Sequence, residues 1–193
     1  MGDLPDAIES RLIELPTGLR DHVERSREVG QQLAIRHGID VRQVDTGIAA
    51  HDLARAVTRR VLLRESERLG LEIDFVERHQ PLLLHGPVAA ALLCEDDDNS
   101  SGAVLESVRF HTTGHPGMGD IAKVVFLADK LDPWKVERAS FLRRVEETAR
   151  TDLDAAILHY LDKTIERLVE DGQMVHPTAV KYRNDLISQR VGT

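Results

Sequence analysis

Residues 17–38, TGLRDHVERSREVGQQLAIRHG, carry one apolar period with a stop signal at its end. Leu19, Val23, Ser26, Val29 with Gly30, and Leu33 recur at three- and four-residue spacing, which lines one face of a helix and fits no strand. Thr17 offers a hydroxyl cap at one end and Gly38 a stop at the other, so a helix is predicted up to about His37. His22 stands on the apolar stripe, one residue before Val23, and is expected to point inward. A lone inward histidine is usually a hydrogen-bonded core residue.

The same period continues outward from this stretch. Val44, Ile48, His51 with Asp52, and Arg55 make a second stripe, and Asp40 with Gln43 reads as a capping box at its start. Further helices are expected over about 60–69, 82–94, 103–112, 119–131, 137–149, 152–171 and 178–189, with ends uncertain by about two to four residues. Strand-like alternation is scarce and aromatic residues make up only 4% of the chain, so the predicted fold class is all-α, a helical bundle. The 193 residues suffice for one domain over 1–193, with a core over about 17–132 and C-terminal helices over about 137–189 packing on it.

Composition removes several classes of function. A formal charge of −8 argues against broad nucleic-acid binding and against a polybasic membrane surface, since either needs a clustered excess of Lys and Arg. The single cysteine, Cys94, excludes an intrachain disulfide and a thiolate zinc cluster; beside Leu92 and Leu93 it reads as a buried small hydrophobe. Asp3, Asp6 and Glu9 stand where a secretion signal would carry basic residues. The longest apolar run, Val88 to Cys94, falls far short of the roughly 20 residues of a membrane span, so a cytoplasmic protein is expected. CEDDDNSSG, residues 94–102, reads as a solvated loop. The sequence leaves oligomeric state open, a homodimer included.

The chemistry begins at AAHDLARA, residues 49–56. An aspartate on an apolar helix face carries a large desolvation penalty unless it meets a cation or a metal. Arg55, one turn on, could meet it, and a plain Asp52–Arg55 ion pair is the simple alternative. Three more segments repeat the anomaly: LLLHGPVAAALL puts His85 at the start of an apolar helix, FHTTGHPGM sets His111 at a helix end, and VVFLADKLDP sets Asp129 behind five apolar residues. Imidazoles and carboxylates converging from several helices are what a borderline divalent metal requires, and helical bundles bury such sites in their cores.

These segments, in this order, together with RDHVERSREVGQQLA before them and MVHPTAVKYRND after them, resemble the HD-domain metal-dependent phosphohydrolases. Within that family they resemble the bacterial symmetrical diadenosine tetraphosphate hydrolases of YqeK type. The resemblance implies that His22, His51, Asp52 and Asp129 hold one metal and that His85 and His111 serve a second, with Asp52 bridging the two. It implies two divalent or mixed-valent ions, iron first among them, although such ligands also suit manganese, zinc, cobalt or nickel. The implied substrate is a small-molecule dinucleoside polyphosphate, and the implied reaction is attack by a metal-activated water at an inner phosphorus to give two ADP. Asp52 and Arg55 are the catalytic candidates. Thr112, Thr113, Gly114, Lys135, His176, Arg183 and Asn184 are the substrate-binding candidates, because the substrate's negative charge needs donors beyond the metals. Lys130 reads equally well as a solvated lysine, and His37, His79 and His159 match no motif of the family.

The chain departs from the family pattern at four places. Arg55 stands where lysine is usual and, as a guanidinium, releases no proton near neutrality. Trp134 and Lys135 follow LDP where arginine is usual, His115 replaces another arginine, and Gly119 replaces a capping serine. Two alternatives follow: a hydrolase of another nucleotide (a monophosphate, a deoxynucleotide or a cyclic dinucleotide), and a metal-bound module that binds a nucleotide without cleaving it.

Overall fold

The computed structural model describes residues 4–96 and 101–191, and among them it is built of helices and turns with no strand. A short helix α1 (Asp6–Glu14), absent from the sequence expectations, precedes α2 (Thr17–His37). Gly38 ends α2 in the left-handed region at φ 66°, its N–H returning to the carbonyls of Ala34 and Ile35. At the other end Thr17 does not cap. Pro16 holds the preceding position in an extended conformation, which makes Thr17 the first helical residue, and its hydroxyl accepts a hydrogen bond from Arg20 instead.

α3 (Val41–His51) is capped from one side only. The Asp40 carboxylate accepts from the N–H groups of Arg42 and Gln43, and the Gln43 side chain donates to that carboxylate rather than returning to the backbone. α2 and α3 meet at Gly30, where a Cβ would stand 2.0 Å from Ile48 Cδ1 and would force that buried methyl to move. Arg27 and Asp45 tie the same helices with two buried bonds of 2.8 Å each.

Both helices lie against α8 (Asp120–Lys130), which is buried from Val124 to Lys130, as suits a helix that is apolar nearly all round. Around it one apolar cluster joins Val44 and Ile48 of α3 to α10 (Phe141–Ala149), α11 (Leu153–Glu170) and α12 (Pro177–Val191). A second cluster joins Ala49 and Ala50 of α3 to α1, α4 (Arg59–Arg68), α6 (His85–Asp96) and α7 (Gly102–Phe110). α3 therefore serves both cores, and its last turn lies at their seam.

Some expectations need correcting. α5 (Phe75–His79) was not expected, yet Asp74 and Glu77 form a full capping box there. The helix expected from 82 begins as a 3-10 turn, Pro81–Leu84, because Gln80 precedes a proline and is held out of the helical region. The helix expected over 137–149 is two: α9 (Pro133–Arg138), started by an Asp132 cap and a proline in its first turn, and α10, with Ala139 extended between them. Cys94 is exposed rather than buried: Leu93 of the same turn faces the second core, and Cys94, one residue on, faces away from it. Residues 97–100 of the acidic segment lie outside the described residues. Among the described residues no helix is long and apolar enough to cross a membrane.

Candidate metal centre

Five helices deliver polar side chains to the seam. His22 comes from the second turn of α2, His51 from the last residue of α3, His85 from the first of α6, His111 from the cap of α7 and Asp129 from the last turn of α8. Asp52 follows His51 at φ −104°, out of helical register, which brings its carboxylate inward beside the imidazole. All six are buried.

Three of the histidines share one arrangement. Nδ1 of His51 lies 2.6 Å from the carbonyl oxygen of Ile48, Nδ1 of His85 lies 2.5 Å from that of Leu82, and Nδ1 of His111 lies 2.7 Å from that of Val108. A carbonyl oxygen only accepts, so each Nδ1 carries the proton and each Nε2 presents a lone pair. Those lone pairs converge. Nε2 of His85 and Nε2 of His111 are 2.9 Å apart, and Nε2 of His51 is buried with no hydrogen-bond partner. Facing lone pairs repel unless a proton or a cation stands among them, and a proton is disfavoured because burial pushes the pKa values of His51 and His111 down.

The carboxylates complete the arrangement. Asp52 turns Oδ2 to His51 at 3.5 Å and His22 at 3.8 Å, and Oδ1 to His85 at 3.0 Å and His111 at 3.9 Å, so one carboxylate reaches both groups of imidazoles. Asp129 Oδ1 lies 3.0 Å from Nε2 of His22 and 3.8 Å from that of His51. His22, His51 and Asp129 can offer one atom each to a single ion, and so can His51, Asp52 and His111. Burial alone would raise both carboxyl pKa values. Lys130 and Lys135 beside Asp129 outweigh it there and hold that carboxyl well below the usual range. Neutral imidazole nitrogens and ionised carboxylates at this spacing fit divalent metal ions.

Above the cluster opens a cavity of about 460 Å³ lined by His22, Asp52, His85, His111 and Asp129 together with Arg55, Thr112, Lys135 and Tyr160, with His51 lying beneath its wall. The Arg55 guanidinium stands 3.9 Å from Asp52, and its side chain is 37% exposed toward solvent. Lys135 Nζ approaches Asp129 Oδ1 at 2.6 Å and the Asp129 carbonyl at 2.8 Å. The remaining substrate candidates do not line the cavity. The Thr113 hydroxyl donates to the carbonyl of Gly114. Gly114 sits at φ 66°, and a Cβ there would stand 2.5 Å from the ring of Tyr182 in α12, so turn and packing account for this glycine. Just before α12, His176 Nδ1 accepts from the N–H of Thr178 with Nε2 3.6 Å from Glu77; on the helix, Arg183 donates to Asp162 at 2.8 Å and Asn184 accepts from Arg183.

A comparison of the whole chain with protein families finds the HD domain over residues 19–134. The chain belongs to the HD-domain family. It is 30% identical to the symmetrical bis(5′-nucleosyl)-tetraphosphatase of Halalkalibacterium halodurans, covering 84% of this chain and 86% of that one. It is 28% identical to the protein of the same name from Bacillus subtilis, over 81% and 83% of the two chains. Among solved structures it is similar to an HD-superfamily hydrolase of Clostridium acetobutylicum described as involved in NAD metabolism. That similarity has a TM-score of 0.89 at 25% identity and covers 95% of this chain and 97% of that one.

In this HD-domain chain two partners of the cluster escaped the sequence reading. Asp132 accepts from His22 Nδ1 at 2.6 Å, is gripped by Arg25 at 2.8 and 2.9 Å, and also caps α9. The spacing LADKLDP, with a second aspartate three residues after Asp129, was its only signal. Lys130, far from solvated, is buried and donates to the carbonyl of His111 and to Asp129. His37, outside the motifs, bonds the carbonyl of Ala149 instead.

Proposed function

We propose that this chain is a metal-dependent phosphohydrolase that cleaves diadenosine tetraphosphate symmetrically, adding one water across the bridge between the two inner phosphoryl groups to release two ADP. The observation that carries the reading is the set of Nε2 lone pairs turned toward one another and toward two ionised carboxylates, in a chain that aligns along most of its length with symmetrical tetraphosphatases. His22, His51, Asp52 and Asp129 would hold one ion, and Asp52, His85 and His111 a second, with iron the first candidate.

When bound, two such ions supply Lewis acidity and a water activated near neutral pH. The chain's own residues do the rest. Asp52 spans both groups of imidazoles with its two oxygens, which fits a bridging ligand. The carbonyls of Ile48, Leu82 and Val108 fix the tautomers that leave Nε2 free. Arg55 keeps its charge through the whole cycle and so offers a standing cation to a phosphoryl oxygen without acting as an acid. Thr112 at the cavity wall offers a hydroxyl donor.

The test is product analysis. Protein reconstituted with iron, manganese, zinc, cobalt or nickel is incubated with diadenosine tetraphosphate and the nucleotides are separated; two ADP per substrate are expected. AMP with ATP would mean asymmetric cleavage, and no turnover under any of the five metals would overturn the reading.

A further inference from the structure

The cavity over the metal centre does not end at Lys135. A second lobe of about 470 Å³ continues from it, sharing Asp129, Lys130, Lys135 and Tyr160 with the first. Beyond Lys135 its wall carries Arg138 of α9 and Lys163 and Arg167 of α11, with Phe141 at the start of α10. Asp129, already engaged by two ammonium groups, is the only carboxylate lining this lobe among the described residues. In a chain of net charge −8, three cations on one wall make a local reversal of field.

These cations are available. Arg138 has no hydrogen bond or ion pair among the described residues. Lys163 pairs only with Glu166 one turn along an exposed helix face, and Arg167 stands 3.9 Å from Asp171. Exposed pairs of this kind contribute little and exchange readily for a more highly charged partner. The half-buried rings of Phe141 and Tyr160, with centroids 6.3 Å apart, put apolar surface at the same wall. Cations beside flat apolar surface suit a phosphate that carries a nucleoside.

We infer that the outer lobe binds the distal half of a dinucleoside tetraphosphate, with Arg138, Lys163 and Arg167 holding the phosphates on the far side of the scissile bridge and Phe141 with Tyr160 flanking the second nucleoside. This rests on the hydrolase reading of the metal centre and adds to it a reason for symmetrical cleavage. A tetraphosphate that runs from the outer lobe past Lys135 puts its middle, not its end, over the metal ligands.

The experiment uses the metal-loaded full chain and a Lys163→Ala/Arg167→Ala double variant, both positions being exposed and outside the metal centre. With diadenosine tetraphosphate, KM is expected to rise by about tenfold or more in the double variant while kcat stays within about twofold, since each lost charge-assisted phosphate contact is worth on the order of tenfold. The Lys163→Arg/Arg167→Lys variant is expected to restore most of the affinity. An unchanged KM in the alanine variant overturns the inference. Calorimetric titration of both proteins with the same compound separates the two readings. Binding by the wild type that the double variant loses, with no cleavage by either, supports the lobe and overturns the hydrolase; equal binding by both, or none by the wild type, overturns the lobe.

Discussion

Two regions of this chain are rich in the same polar side chains and treat them in opposite ways. On α12 and its approach charge meets opposite charge: Arg183 holds Asp162, Asn184 accepts from Arg183, and His176 accepts a backbone N–H while its Nε2 faces Glu77 at 3.6 Å, although that nitrogen and the Tyr182 hydroxyl make no hydrogen bond among the described residues. At the seam between the two apolar cores the groups are equally close but mismatched. Imidazole lone pairs face imidazole lone pairs, two carboxylates share the space, and Nε2 of His51 has no partner. Complementary pairs make structure on their own, whereas a buried set with matching polarity is stable only around something of the opposite charge. Closely packed polar side chains are common to both regions, and complementarity of charge separates them.

The sharpest way to break the contrast is Asp52→Ala. It removes the one carboxylate that reaches both groups of imidazoles, so metal content by elemental analysis is expected to fall from about two ions per chain toward zero. Turnover should fall well beyond the roughly 10–100-fold that follows loss of an outer partner. Retention of full metal would mean that Asp52 is not a required ligand, and no metal in either protein would mean that the cluster is an ordinary polar core.

Asp45→Ala is the complementary case, a buried carboxylate whose partner is already supplied. It leaves the buried Arg27 guanidinium with only the more exposed Glu24, 2.8 Å from Nη1, as counter-charge, and chemical denaturation of the metal-free chain is expected to show a loss of about 3 kcal/mol. The metal stoichiometry of the folded fraction should not change, since Asp45 faces Arg27 and not the seam.

Asp132→Asn lies between these extremes, because Asp132 touches a candidate ligand without being one. Metal affinity measured by chelator competition is expected to weaken by roughly 10–100-fold. There is also an acid signature. Burial raises the Asp132 pKa, but hydrogen bonds from Arg25 and His22 outweigh it and hold it at about 2, below the ordinary aspartate value of about 3.9. A depressed carboxyl stabilises the fold above its unfolded pKa and loses that contribution as pH falls through the folded one. The stability gap between the metal-free wild type and Asp132→Asn should therefore hold above about pH 4 and narrow toward pH 2. A gap independent of pH over this range would show that the carboxylate acts only as the cap of α9.

Much of this was legible in the sequence, for particular reasons. The period of Leu19, Val23 and Leu33 set α2, and polar residues interrupting apolar runs picked out His51, Asp52, His85, His111 and Asp129, because desolvation makes such interruptions costly without a partner. Asp132 escaped because it falls between two expected helices, where a capping aspartate before proline needs no further explanation. Lys130 escaped because a lysine at a helix end is ordinarily solvated; only the all-round burial of α8 makes it internal. Gly114 was read as a backbone donor, yet its need comes from the ring of Tyr182, which lies 68 positions away in the chain and left no local mark. Long-range packing is the part that spacing does not encode.

The smallest expected effect tests the satisfied region directly. Arg183→Ala removes an ion pair whose Arg and Asp side chains are 36% and 43% exposed. Such pairs contribute about 0–1 kcal/mol, so thermal stability should move little. Because Arg183 lines neither the metal cavity nor its outer lobe, KM and kcat for diadenosine tetraphosphate should stay within about threefold of wild type, against the tenfold rise expected at Lys163 and Arg167. If instead Arg183→Ala raises KM tenfold, the guanidinium must leave Asp162 when substrate binds. Asp162→Ala, which frees the guanidinium in advance, should then lower KM. With both variants near wild type, α12 acts as a strut, and the difference between matched and mismatched polar clusters extends from the fold to the chemistry.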